Sequence, residues 1–189
     1  MAVTAQNYFQ YAFDRYPIAW DEGPFLYRTL NYARNKVALD LDLTTREEFS
    51  LENNPNSLTL SKNFLAVRKV YLVNNNFQIL LKRKPNLFQP FKYALKPLNY
   101  VLKAPNKIYL LPQDYKADEN DKIVIDYVPI LDPMQRLSDE ETYIPETALD
   151  LVVLQICLRL AENDLQYAMK GYFEAEYKLR LATLQRGAF

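Results

Sequence analysis

Histidine is absent from this chain of 189 residues, which has only one cysteine and three glycines. Without histidine the chain lacks the commonest general base, every histidine-containing triad and every histidine-ligated metal site. A single cysteine excludes an internal disulfide and a thiolate zinc site. Three isolated glycines supply neither a GxGxxG loop nor a phosphate-binding P-loop. Carboxylate, lysine, tyrosine and serine chemistry remains, but no spacing selects a site, so we predict a protein that is not an enzyme and has no cofactor or metal.

An excess of charge of either sign is also missing. Lysine plus arginine and aspartate plus glutamate each number 23, so the net charge is zero, whereas a dedicated nucleic-acid binder usually has a basic excess. No window of about 18 apolar residues is free of charge, and the first ten residues, MAVTAQNYFQ, lack the basic and apolar regions of a signal peptide. We therefore expect a soluble protein that is made in the cytoplasm and does not bind a membrane.

The last quarter of the chain, residues 144–185, carries the strongest helical signal. Its first part, up to Ala161, is apolar on nearly every side, and Asp150, Gln155 and Arg159 are the polar interruptions. A helix that is apolar all round must be covered all round, and one small domain hardly provides that cover. We therefore predict that a neighbouring subunit packs against this helix, and that Cys157 in its middle is a buried structural thiol.

A second, amphipathic helix is predicted after a polar break at residues 162–164. Its apolar residues fall at helical spacing, and they are Leu165, Met169, Tyr172, Ala175, Leu179 and Ala182. Phe173 and Tyr177 share a different face of this helix, which favours a contact with another chain. The complete set of residues predicted at a subunit interface is Leu151, Leu154, Leu158, Phe173 and Tyr177.

Two more helices are predicted near the N-terminus. The first extends from Thr4 to Arg15 and is stopped by Pro17. The second begins at Pro24, in the position where a helix tolerates proline. Its apolar stripe consists of Leu26, Leu30, Ala33 and Val37. With the C-terminal pair, these helices predict one bundle that is formed by residues 1–40 and 144–186.

Residues 45–131 change to the alternating pattern of β-strands, with turn residues between short apolar segments. The segments VRKVYLV and FQILLK, joined by three asparagines, predict a hairpin. The segment KIVIDYV places Ile123, Ile125 and Tyr127 on one apolar face. We therefore predict an α+β fold in a single domain, with a helical bundle and an inserted small antiparallel β-sheet or open barrel.

The order of these parts resembles the head-to-tail connector ring, or adaptor, proteins of tailed bacteriophages. The resemblance is carried by KIYLLPQDYKADENDKIVIDYVPIL, followed by YIPETALDLVVLQICLRLAENDLQYAMKGYFEAEYKLRL. Proteins of this family likewise have a strand that ends near Tyr-x-Pro, a polar loop, a proline-initiated apolar helix and then a charged amphipathic helix. The chain is most similar to the tail-tubular or gateway type of short-tailed phages, such as the crAss-like group.

The resemblance implies a structural subunit of the virion neck or tail, assembled in the host cytoplasm. Twelve copies would form a ring that contacts the portal protein and the downstream tail or nozzle protein, and double-stranded DNA would pass through the ring without specific binding. It places the contacts with portal or tail at Phe189 and at the basic run Lys82, Arg83 and Lys84. From the residues alone, that run is either a phosphate contact or a solvated hairpin end.

A function of a different class also fits the pattern. A soluble module that binds a small ligand, or an accessory enzyme, could use the β insertion at residues 45–131 as its binding site. A ligand screen by thermal shift separates the two hypotheses, because a ring subunit is expected to show no shift.

Overall fold

The structure is a computed structural model, and it describes residues 2–17, 23–53, 55–75, 77–85, 96–112 and 115–187. The chain divides into two compact units. The helical unit combines Met1–Leu43 with Leu131–Phe189, and the β unit is Thr44–Ile130. The predicted α+β class is confirmed, because helices from both ends of the chain form one unit and antiparallel strands form the insertion.

Among its described residues, the helical unit contains four α-helices. They are α1 (Ala5–Arg15), α2 (Pro24–Asp40), α3 (Leu149–Asn163) and α4 (Tyr167–Gly187). Local signals set their starts: the Thr4 amide donates to the Asn7 Oδ1 atom over 2.8 Å, Pro24 occupies the first turn of α2, and a short 3₁₀ turn precedes α3. Leu165 adopts a positive φ of 58° between α3 and α4, so the predicted break between these helices is confirmed.

Helix α3 lies at the centre of the unit, in contact with α1, α2 and α4. Leu151 and Leu154 are completely buried, and the Cys157 thiol donates to the Ala12 carbonyl oxygen of α1. One strip, which includes Leu158 and Arg159, remains half-exposed. The premise that one chain cannot cover α3 is wrong, because the other three helices of the same chain bury most of it; a neighbouring subunit stays a prediction.

Eight strands are present in the described part of the β unit. They are β1 (Thr45–Ser50), β2 (Ser57–Thr59), β3 (Phe64–Asn74), β4 (Phe77–Leu80), β5 (Lys82–Arg83), β6 (Asn99–Lys103), β7 (Lys107–Leu111) and β8 (Lys122–Pro129). They form two four-stranded sheets, ordered β1-β8-β3-β4 and β2-β7-β6-β5, and neither sheet closes into a barrel among the described strands. The pairs are antiparallel except for β5 with β6.

The predicted hairpin is confirmed as β3 and β4, in which Val73 pairs with Gln78. The predicted apolar face of β8 is also confirmed, because Ile123, Ile125 and Tyr127 are fully buried. Side chains from both sheets contribute to one apolar core, since Leu58 and Leu110 of the second sheet join β8 in it. At about 25 cal/mol per Å² of buried apolar surface, such a core is what holds two short sheets together.

Candidate interaction surfaces

Four of the five residues predicted at a subunit interface lie inside the helical unit. Leu151 and Leu154 belong to the α3 core, and Phe173 and Tyr177 turn the inner face of α4 toward that core. The phenol of Tyr177 donates to the Asp40 Oδ2 atom over 2.7 Å, and the Phe173 ring meets the Tyr16 ring edge-on at 5.9 Å. The interface assignment of these four residues is therefore corrected, because a buried side chain cannot contact another subunit.

The fifth predicted interface residue, Leu158, is half-exposed. It lies in a groove of about 560 Å³ that is bordered by α2 and α4. A second groove of about 470 Å³ shares Tyr32, Arg159 and Glu162 with the first. Its arginine is already engaged, because the Arg159 guanidinium stacks 4.0 Å over the Tyr32 ring and bonds Glu162 over 2.9 Å. Leu158 is the predicted interface residue that stays available to another chain.

The apolar stripe predicted on α4 faces outward. Tyr172 is 59% exposed and Leu179 is 68% exposed, and Ala168 and Ala175 on the same face are exposed as well. We call these residues the outer face of α4. Phe173 and Tyr177, which the sequence assigned to an interface, form the inner face instead. Both sides of the helix are apolar, but the aromatic pair buries more surface and its phenol finds a partner on α2.

The predicted contacts with portal or tail fall in two places. Lys82 and Arg83 are exposed on β5, and Lys84 is half-exposed just after that strand. The backbone fixes their position, because the Lys82 amide donates to the Leu98 carbonyl oxygen over 3.0 Å. The other predicted contact, Phe189, lies outside the described residues.

Apolar side chains surround this basic strand, and the sequence reading missed them. Leu80 is 57% exposed and Leu98 is 42% exposed, beside Lys82 and Arg83. We call these four residues the β4–β5 surface. A signal was present in the sequence, because three consecutive apolar residues, 79–81, in an alternating strand must leave at least one of them outside. Exposed apolar side chains beside charges are typical of protein-binding surfaces.

A buried ion pair in the helical unit joins Glu141 to Arg34. The Glu141 carboxylate accepts bonds from the Arg34 guanidinium at 2.6 and 3.1 Å, and it also accepts from the Tyr8 phenol and the backbone amide of Tyr143. Burial alone would raise the pKa of Glu141, but the hydrogen bonds and the charge of Arg34 outweigh it and hold the pKa below its ordinary value. This pair attaches the segment after residue 131 to α2, so its role is structural.

The β unit contains a comparable buried carboxylate. Asp121 is fully buried and accepts bonds from the Asn74 amide at 2.6 Å, from the Asp118 backbone at 2.9 Å and from the Lys96 ammonium. Burial would raise the pKa of Asp121, but these donors together hold it below the ordinary value. Within the part of the chain that the structure describes, no three His, Cys, Asp or Glu side chains are placed to hold a metal ion.

Acid is expected to destabilise both units below about pH 4. Because Asp121 and Glu141 have lowered pKa values in the fold, their charged forms stabilise it fully above their unfolded pKa of about 4. That contribution is lost as the pH falls through the lower folded pKa. The check is the free energy of urea unfolding between about pH 6 and about pH 3, with Asp121→Asn expected to show a smaller decline. An unfolding free energy that does not fall with pH would contradict the assignment.

The Cys157 thiol is expected to be inert in the folded protein. Its burial against α1 raises its pKa to about 12, so the reactive thiolate is scarce at neutral pH. Ellman's reagent should detect no thiol in buffer and one thiol per chain in concentrated urea. Rapid labelling of the native protein would show that α3 opens far more readily than its packing implies.

Two further observations concern membranes and relatives. No helix among the described residues is long and apolar enough to cross a membrane. No protein-family model matches the chain, and no curated protein matches it. The function must therefore be inferred from the surfaces of the molecule.

Proposed function

We propose that this chain is a structural subunit of a bacteriophage neck, without enzymatic activity, that assembles into a ring between portal and tail around the DNA channel. The first support is the order of elements. Helices α1 and α2, the β unit and then α3 and α4 follow one another as the family resemblance requires. Helix α3 also begins just after the Ile144–Pro145 pair that belongs to the resembling segment.

The observation that carries the proposal is the β4–β5 surface. The β unit has a complete apolar core, yet Leu80 and Leu98 stay exposed beside Lys82 and Arg83. An interface buries apolar side chains at its centre and keeps charges at its rim, and leucines exposed beside cations fit that arrangement. The partner that fits this surface has an apolar patch with acidic groups around it, and the resemblance suggests the portal or the next tail component.

The charge of the chain suits a passage for DNA better than a DNA-binding site. The net charge is zero, and the exposed cations of the β4–β5 surface are Lys82 and Arg83. Each phosphate contact adds to affinity and to its salt dependence, so a ring wall with many cations would retain the DNA that has to move past it. A nearly neutral wall allows that movement.

Native mass spectrometry of the purified protein, alone and mixed with portal protein, tests the proposal. We expect a closed oligomer, or a complex with portal. Changing Lys82 and Arg83 to glutamate should weaken the contact with portal or tail, and the same change at exposed Lys107 and Lys116 should not. A monomer that binds no portal protein under any condition would contradict the proposal.

The alternative, a small-ligand module or accessory enzyme that uses the β unit, makes an opposite prediction. A thermal-shift screen with common metabolites should raise the melting temperature if the β unit holds a ligand, because a ligand that binds only the folded state stabilises it. We expect no shift for a ring subunit. A shift that disappears when a residue lining the site is changed would favour the alternative.

A further inference from the structure

The outer face of α4 carries a regular alternation of large and small side chains. Tyr172 and Leu179 are seven residues apart, and alanines lie at the positions between and around them. The series of small and large residues is Ala168, Tyr172, Ala175, Leu179 and Ala182. The spacing of four, three, four and three is that of the a and d positions of a coiled coil, on the side of the helix opposite to the buried Phe173 and Tyr177.

We propose that this face binds the same face of a second copy of the chain, with the two α4 helices antiparallel. In an antiparallel pair each a residue meets a d residue of the other helix, so large side chains meet alanines throughout. In a parallel pair, Leu179 would meet Leu179 and alanine would meet alanine, which leaves voids between the alanine layers. The face is therefore complementary to itself in one orientation, and the partner that this alternation specifies is another copy.

The charges beside the seam and the start of α4 at Tyr167 together select the register. When Tyr172 of one copy meets Ala175 of the other, Lys178 lies opposite Gly171 of the second copy. A Cβ atom added to Gly171 would meet no atom within 4 Å, so the lysine stem has room. In the same register Glu176 lies opposite Met169 of the second copy. A shift by one heptad in one direction would place Lys178 against Lys178 and Glu176 against Glu176, and like charges repel. A shift in the other direction would place Leu179 opposite residue 161, which precedes the start of α4 at Tyr167.

The pair is closed by two-fold symmetry, so it cannot by itself build a ring, whose contacts join two different surfaces. The inference therefore does not depend on the proposed neck function. If ring assembly fails, the α4 pair can still form; if the α4 pair fails, a ring can still assemble through other surfaces. The two proposals use different surfaces and are tested separately.

Disulfide cross-linking tests the pair. In the proposed register, Ala168 of one copy meets Leu179 of the other, so chains with Ala168→Cys mixed with chains with Leu179→Cys should form a covalent heterodimer on mild oxidation. Neither variant should cross-link alone, because two copies of either position are separated by eleven residues along the axis, about 16 Å. Disulfides need Cα atoms within about 7 Å. The native Cys157 is buried and does not interfere.

The control replaces Leu179→Cys by Arg180→Cys, which moves the thiol about 100° around the helix and should abolish the cross-link. Homodimers from either variant alone would show a parallel pair and overturn the proposal, and so would a mixture without any heterodimer. Analytical ultracentrifugation adds an independent measurement. Leu179→Glu should remove the dimer that the native chain forms, while its circular dichroism spectrum stays that of a folded chain because Leu179 is exposed in the single copy. A native chain that is monomeric at high concentration would also overturn the proposal.

Discussion

Replacing Glu141 by leucine is expected to lower the free energy of unfolding by about 3–5 kcal/mol. The carboxylate and its partner Arg34 are almost completely buried, with side-chain exposures of 2% and 4%. Removal of Glu141 leaves a guanidinium charge in a site with little water, and it also leaves the backbone amides of Tyr143 and Ile144 without their acceptor. Urea unfolding at neutral pH measures the loss.

Two matched variants separate the ion pair from its surroundings. Glu140→Gln changes the neighbouring exposed carboxylate and should alter stability by no more than about 0.5 kcal/mol. Arg34→Met combined with Glu141→Leu removes both charges and should recover a large part of the loss, because no unpaired ion remains. A single Glu141→Leu variant as stable as the native chain would show that this ion pair does not attach the segment after residue 131 to α2.

The ion pair also illustrates what sequence reasoning could not find. Arg34 and Glu141 are separated by 107 residues, and no local sequence pattern links one to the other. Helical periodicity correctly predicted that α2 has an apolar stripe, and Leu26 and Leu30 are indeed buried. Periodicity does not tell which distant carboxylate approaches Arg34 of α2, because that depends on the path of the chain after residue 131.

Local patterns predicted elements well, and the hairpin of β3 with β4 and the apolar face of β8 both followed from a few consecutive residues. Orientation was harder. Helix α4 has an apolar group on each side, and a hydrophobic stripe does not reveal which side packs. The side of α4 that packs is set by its contacts: Phe173 meets Tyr16, and Tyr177 bonds Asp40. Those partners are known only when the helices are assembled.

At the candidate surfaces, too, the sequence predicts some features and not others. The exposure of Lys82 and Arg83 could be predicted, because a short basic run at a strand end is rarely buried. The exposure of Leu98 could not be predicted. Leu98 stands just before β6, and its surroundings depend on β5, which pairs with β6 in parallel and donates a backbone hydrogen bond to the Leu98 carbonyl oxygen. Parallel pairing of a two-residue strand leaves almost no trace in a sequence.

Introducing aspartate at Leu154 is expected to prevent folding, whereas the same change at Leu158 is expected to cost less than about 1.5 kcal/mol. The two leucines are one helical turn apart on α3. Leu154 is completely buried, so a carboxylate there has no water and no partner. Leu158 is half-exposed and opens into the groove that also contains Lys36 and Lys170, where a carboxylate stays hydrated near cations. Circular dichroism and urea unfolding of both variants measure the difference.

The outcome decides how α3 is covered. A folded Leu154→Asp protein would show that this side of α3 reaches water and that the packing described for α1, α2 and α4 is wrong. A Leu158→Asp protein that folds as a monomer but no longer assembles would instead place a second subunit in the groove. That result would recover part of the interface predicted from the apolar character of α3, at the one predicted position that the helical unit leaves open. A charge at Leu158 that changes neither folding nor assembly would leave the groove facing solvent.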